Sequence, residues 1–404
     1  MNTLLARTLL PVFLLLPLLT TAQDPAGNEQ IAIGILLDQY HRDAANANLD
    51  AFIGAMTPRG VFIGTDASEY WTAPVLREWC KPHFDKKRTW DFRPFNRHIS
   101  LSADRNSGWF DELLSTQMGI CRGSGAVVKQ DGQWKIAEYV LSAAIPNGIM
   151  KQVTAMKVAA DTAFILEQIF SRHGLTGTIV FFDPSKERYF GYAPALWDSG
   201  YLPASTFKIP NSLIGLETGV IDTNYVFRWN GEKQRLPQWE QDLRLKDAFQ
   251  VSCVPCYQEV ARKVGPERMK RYLEKIGYPG MDVQPGNIDL FWLEGDSRIT
   301  PRQQVNFLRN LREERLALYP AVMKTVKSIM QQEDTRGYRL YGKTGWAMRN
   351  GNNYGWFVGW AESGDHVIYL ATQVQPKDGK LPDDFAMARK QIVEEALSLL
   401  QMVP

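Results

Sequence analysis

Residues 203–215 read PASTFKIPNSLIG, a run in which Lys208 stands among Phe207, Ile209, Leu213 and Ile214 at helical spacing. A helix that is apolar nearly all round has to be enclosed, so this segment demands a fold that packs structure against every side of it. It also puts the lysine where water is scarce. Ser205 precedes Lys208 by three residues, so hydroxyl and amine share one helix face. A serine hydroxyl becomes a nucleophile only when a base takes its proton. Lysine, with an ordinary pKa of about 10.4, is charged at neutral pH, but loss of hydration lowers that value by several units. The neutral amine then acts as a base directly, or combines with carbon dioxide to give a carbamate that is itself a base. Pro203 sets Ser205 at the helix start, where free N–H groups favour a developing oxyanion. With five histidines in 404 residues, serine and lysine take roles that histidine often fills.

Residues 1–22 carry Arg7, an apolar run from Leu9 to Leu19 and small residues ending at Ala22, the pattern of a cleaved signal peptide. No cysteine follows for a lipid anchor, and no later stretch reaches the roughly 20 apolar residues of a membrane span. An exported, soluble, periplasmic protein without a lasting membrane anchor is therefore expected. The 46 basic and 44 acidic residues nearly cancel, which gives no reason to expect nucleic acid as a partner. Four cysteines, Cys80, Cys121, Cys253 and Cys256, suffice for two bridges in an oxidising compartment, with the pairing open. Cys253 and Cys256 form a Cys-x-x-Cys, but the strand-and-helix frame of a thioredoxin fold is absent around it. A local disulfide or two buried thiols is the expectation there.

The length accommodates two domains. From 28 to 147 the pattern is α+β: Ile31, Leu36, Leu37 and Tyr40 recur at helical spacing, GVFIG at Gly60 reads as a strand, and Asp131-Gly132 sits between two strand-like runs as a hairpin turn. The segments VFIGTDASEYW, GWFDELL, CRGSGAVV and DGQWKIAEYVLSAAIPN resemble the SnoaL-like, nuclear transport factor 2-like family of cone-shaped α+β barrels. That resemblance implies a fold rather than one activity. Trp109, Asp111 and Glu112 are candidates to face the cone's pocket, with ordinary strand positions as the plainer alternative. Residues 148–160 read as linker and helix, and 161–404 as a second domain opening with a hairpin around Asp183 to Lys186.

About one or two Ser-x-x-Lys matches are expected by chance in a chain this long. Here the motif has company. Ser252 and Val254 lie in VSCVPCY, 47 residues after Ser205, and Lys343, Thr344 and Gly345 lie in LYGKTGWAM, in strand context. Together with FWLEG at Phe291, GWFVGWAE at Gly355 and ARKQI at Ala388, these motifs resemble the class D, oxacillinase-type serine β-lactamases, where a class A member would show Ser-Asp-Asn at Ser252. The resemblance implies a penicillin-recognising fold, an antiparallel sheet flanked by helices plus a helical subdomain.

It also implies roles. Ser205 attacks the lactam carbonyl, and Lys208, carboxylated by carbon dioxide or bicarbonate, is the base, with no diffusible cofactor and no metal. Trp292 holds the carbamate and Ser252 relays a proton to the leaving nitrogen. Lys343, Thr344 and Arg389 bind the substrate carboxylate beside Gly345, Ser205 and Trp346 supply oxyanion-hole N–H groups, and Val254 and Leu293 wall the lysine pocket. One departure is Tyr278-Pro279-Gly280 where the family shows Tyr-Gly-Asn. The expected ligands are β-lactams, with a homodimer through the first domain. The competing readings are a penicillin-binding sensor that is acylated and stalls, and a binding protein whose working part is the cone.

Overall fold

The computed structural model describes residues 25–400 apart from 88, 333–336 and 350, so the signal-peptide segment lies outside the described residues. The chain divides into two compact units, one up to Val153 and one from Thr154 onward. Among the described residues no helix is long and apolar enough to cross a membrane.

The first unit runs α1 (Pro25–Ala45), α2 (Leu49–Gly54), β1 (Met56–Ile63), β2 (Tyr70–Thr72), α3 (Ala73–Asp85), β3 (Arg93–Leu101), β4 (Ser107–Thr116), β5 (Gly119–Gln130) and β6 (Gln133–Ala143). The sheet order is β2-β1-β6-β5-β4-β3, parallel between β1 and β6 and antiparallel elsewhere. Asp131 at φ 49° and Gly132 at φ 77° make the β5–β6 turn, as a two-residue hairpin loop requires. Helix α1 forms where its periodicity predicts one, but Ile31 is exposed, and Ile33, Leu37, Tyr40 and Ala44 make the buried face.

Strand periodicity also corrects the expectation for β4. Side chains alternate across a sheet, so Phe110, Glu112 and Leu114 point into the core while Trp109 and Asp111 point out. Trp109 is 58% exposed. Asp111 pairs at the surface with Arg122 at 2.8 Å and His98 at 3.3 Å. Of the three candidates, Glu112 alone faces inward.

The second unit comprises α4 (Met150–Arg172), β7 (Leu175–Asp183), β8 (Arg188–Tyr192), α5 (Lys208–Glu217), β9 (Val226–Phe227), β10 (Leu243–Arg244), α6 (Leu245–Gln250), α7 (Val254–Val264), α8 (Pro266–Lys275), α9 (Pro301–Arg312), α10 (Pro320–Met330), β11 (Arg339–Arg349), β12 (Asn352–Ser363), β13 (His366–Pro376) and α11 (Phe385–Leu399). Its main sheet, ordered β11-β12-β13-β7-β8, is antiparallel throughout. Phe181, Phe357 and Leu370 pack with Phe170 of α4 and Ile392 of α11 in one core. Val180, Trp356, Val358 and Tyr369 join residues of α5 to α10 in the other. Both faces of the sheet are covered, which explains the nearly unbroken apolar runs of β7, β12 and β13.

Helix α5 is enclosed as its composition demands, with every residue from Lys208 to Gly215 buried. A Cβ on Gly215 would stand 2.7 Å from the Val260 side chain of α7, so glycine permits that approach. One expectation changes here: Ser205 lies in a 3₁₀ turn, Ala204–Phe207, and the α-helix begins only at Lys208. The cysteines form one disulfide, Cys253–Cys256, with a Cα separation of 5.5 Å. Cys80 and Cys121 are free, buried thiols, so the two-bridge expectation fails for that pair.

Candidate active site

The turn carrying Ser205 packs against β11, the edge strand that bears Lys343 to Trp346. This close packing needs Gly345, since a Cβ there would lie 3.1 Å from Thr206 and 3.2 Å from the Pro203 carbonyl. Ala204 is held at φ 49°, a left-handed conformation that costs a non-glycine residue about 1–2 kcal/mol. Its N–H donates to the Trp292 carbonyl at 2.9 Å, which fastens the turn to the FWLEG segment. Ser252 has a second such backbone, at φ 59°. It sits between α6 and the N-terminus of α7, and Cys253 caps that helix by accepting from the Cys256 N–H. Backbone strain therefore accompanies both hydroxyls.

Lys208 Nζ donates to Ser205 Oγ at 2.9 Å, although the lysine is fully buried. Among the described residues its amine has no carboxylate partner and lies 5.3 Å over the Tyr257 ring. Burial, and then the charge of Lys343, hold its pKa well below the ordinary lysine value. Lys343 is 4% exposed and bonds the Thr344 carbonyl at 3.1 Å and hydroxyl at 3.3 Å. Burial, with the neighbouring Arg389 charge, brings it down to about 7. Burial lowers Arg389 to about 10. Three basic groups crowded together with burial working against their charges make a cluster in which added negative charge is stabilised.

Ser205 and Ser252 open onto a cavity of about 370 Å³ whose walls include Val254, Thr344, Gly345, Trp346 and Arg389. Lys208, Lys343 and Trp292 stand behind this wall rather than in it. Arg389 reaches through the space left by Gly355, where a Cβ would be 2.7 Å from its side chain, and donates to the Gly345 carbonyl at 2.6 Å. Trp346 donates to Asn353 at 2.9 Å and has the Arg389 guanidinium 5.5 Å over its ring. Trp292 is fully buried, stacked on Phe207 at 5.2 Å, and its Nε1–H has no partner among the described residues. Leu293 is half-buried against the same core and does not line the cavity. Tyr278, Pro279 and Gly280 line a different depression, while the Tyr278 ring also packs edge-on against Phe207 of the Ser205 turn at 5.9 Å.

Sequence reasoning missed part of the wall. Arg235, Leu236, Gln238 and Trp239 come from the irregular segment before β10, and Met348 and Ala386 complete the rim. A loop side chain carries no periodic signal, and only the folded path brings these residues to Ser205.

The comparisons agree with this geometry. Residues 177–397 match the penicillin binding protein transpeptidase domain, and residues 33–146 match the SnoaL-like domain. The chain is 36% identical to β-lactamase OXA-5 of Pseudomonas aeruginosa, over 60% of its own length and 93% of that relative. It is also 36% identical to β-lactamase OXA-48 of Klebsiella pneumoniae, over 58% of its length and 87% of that relative. The crystal structure of the class D β-lactamase YbXI from Nostoc superposes with a TM-score of 0.56 at 38% identity, covering 59% of this chain and 99% of that one. The matched stretch holds the Ser-x-x-Lys turn, the second serine and the Lys-Thr-Gly strand around one cavity, and the chain belongs to the class D β-lactamase family of serine hydrolases, preceded by a SnoaL-like domain.

Proposed function

We propose that the protein is a secreted, periplasmic serine β-lactamase that hydrolyses penicillin-type β-lactams through an acyl-enzyme on Ser205. The observation that carries this reading is the 2.9 Å contact between Ser205 Oγ and a Lys208 amine buried without a carboxylate partner. Such an amine is poised to lose its charge and to accept the serine proton. As that proton leaves, Oγ bonds to the lactam carbonyl carbon while the Ser205 and Trp346 N–H groups polarise its oxygen. The C–N bond opens, the nitrogen takes a proton by way of Ser252, and the ring remains as an ester on Ser205. Water then attacks the ester, Oγ recovers its proton and the opened acid departs. Thr344 and Arg389, with Lys343 behind them, orient the substrate carboxylate.

The family's carboxylated lysine fits the residues present. Only an uncharged amine adds carbon dioxide, burial disfavours the charge on Lys208, and the orphaned, buried Trp292 Nε1–H is a ready donor for a carbamate oxygen. When formed, that group would supply an anionic oxygen base beside Ser205 in place of the amine. No diffusible cofactor enters the proposal. The first unit is assigned to ligand capture or homodimerisation rather than chemistry, since its fully buried carboxylate, Glu112, already accepts from His41, Arg97 and Tyr139.

Hydrolysis of a chromogenic cephalosporin is the test. Expected are many turnovers per enzyme, a faster rate with added bicarbonate, and none with Ser205→Ala. A single burst equal to the enzyme concentration would point instead to an acylated binding protein.

A pH dependence follows from Lys343. A lysine brought to about 7 loses its charge as pH rises through that value in the free protein, while Arg389, at about 10, keeps its own. KM for carboxylate-bearing substrates should therefore climb between about pH 6 and pH 9. A flat KM profile would show that Lys343 does not contribute to anchoring them.

A further inference from the structure

The first unit contains a second cavity, about 160 Å³, between β1, β2, α3 and the segment leading into β3. Five of its walls are aromatic: Phe62, Trp71, Trp79, Trp90 and Phe92. Trp71 and Trp79 stack at 4.6 Å, Trp79 and Trp90 meet at 6.1 Å, and Trp90 and Phe92 at 6.2 Å. Trp79 remains 41% exposed.

The one ionisable side chain among the lining residues is Glu69, and no lining residue is basic. The Glu69 carboxylate is fixed rather than swinging free. Its Oε2 accepts from the Asp66 N–H at 3.1 Å, and the missing side chain of Gly64 makes room for it, since a Cβ there would fall 2.0 Å from that oxygen. Among the described residues Glu69 has no cationic partner. Indole faces carry partial negative charge and attract cations, tryptophan most strongly. A cage of indoles with one unpaired carboxylate at its wall is thus complementary to a positive, weakly hydrated ligand.

We propose that this cavity binds a small free solute bearing a quaternary or trialkylated ammonium group, with the cation held within the aromatic wall and balanced by Glu69. Charge separates this from a plain apolar pocket. A neutral molecule of the same shape fills the space but gains nothing from the carboxylate or from the ring faces. The cavity's size suits a single head group of that kind, and the site is independent of the Ser205 chemistry.

The test is calorimetric titration of the full chain with choline and with its uncharged isostere 3,3-dimethylbutan-1-ol. Choline is expected to bind once per chain and at least about tenfold more tightly than the isostere. Glu69→Gln, at a partly exposed position that leaves the core untouched, should weaken choline about tenfold and leave the isostere unchanged. Trp79→Ala should abolish the preference for choline, with far-UV circular dichroism confirming that the variant is folded. Equal affinities for the two ligands, no heat from choline at tens of millimolar, or a Glu69→Gln variant indistinguishable from wild type would each overturn the proposal. Sedimentation with phosphatidylcholine vesicles in preference to choline binding would overturn the assignment to a free solute.

Discussion

Lys208→Ala is expected to lower kcat for a penicillin by about 10²- to 10⁴-fold, the range in which a positioned general base contributes. The expectation rests on position and solvation together. Lys208 Nζ lies 2.9 Å from Ser205 Oγ, is walled in by the core of the second unit, and is held well below the ordinary lysine value first by burial and then by Lys343. The Ser205 hydroxyl has no other base within hydrogen-bond reach among the described residues. Lys208→Arg should fare no better, because a guanidinium keeps its proton. Ser205→Ala should cost more, on the order of 10⁴-fold or beyond, because it removes the acceptor of the acyl group itself. Steady-state kinetics with intact-mass spectrometry separates the variants, since wild type forms and clears an adduct quickly, the lysine variants do so slowly and Ser205→Ala forms none. The residual rate of Lys208→Ala should also ignore added bicarbonate. Retention of kcat within about tenfold of wild type would remove Lys208 from the chemistry.

What could be read from the chain beforehand followed the range of the interactions involved. The Ser205–Lys208 pair was legible because three residues along a helix or a 3₁₀ turn bring two side chains together without help from the rest of the fold. The Asp131-Gly132 turn was legible for the same local reason. Lys343 was recognisable as a motif residue, yet its depth behind the cavity wall depends on Phe249 of α6, whose ring lies 5.6 Å beneath its amine. The outward turn of Trp109 and Asp111 depends on the phase of β4, and a strand's phase is set by partners distant in sequence. Ala204 and Ser252 illustrate the limit from the other side: neither residue type favours a left-handed backbone, so nothing in their identity announces the strain beside each serine. The three tryptophans that line the first unit's cavity are scattered over twenty positions, from Trp71 to Trp90, and meet only when β2, α3 and the following segment converge.

Glu112→Ala is expected to lower the stability of the first unit by about 3–5 kcal/mol, the cost of breaking a buried ion pair from one side. Glu112 is fully buried, and its carboxylate accepts from His41 Nε2 at 2.6 Å, Arg97 Nε at 2.6 Å and the Tyr139 hydroxyl at 3.1 Å. Arg97 reaches on to Asp38 at 2.8 Å and to the Gly34 carbonyl at 2.9 Å, so one guanidinium ties α1 to the sheet through the glutamate. Removing the carboxylate takes from the buried His41 its acceptor and leaves Arg97 to Asp38 and the Gly34 carbonyl. Glu112→Gln keeps the shape but turns an amide N–H toward groups that are themselves donors, so it recovers only part of the loss. The pH dependence carries a definite sign. Burial alone would raise the Glu112 pKa, but the His41 hydrogen bond and the His41 and Arg97 charges outweigh it, and the folded value lies below the ordinary carboxylate range. A group depressed on folding stabilises above its unfolded pKa, about 4.3 for glutamate, and that stabilisation fades as pH falls through the folded value. Calorimetry of the full chain should therefore show the first unit's transition in Glu112→Ala falling by on the order of 10–20 °C at neutral pH. The gap to wild type should narrow steadily below about pH 4. A gap that stayed constant into acid would mean that the glutamate's packing, and not its charge, holds α1 against the sheet.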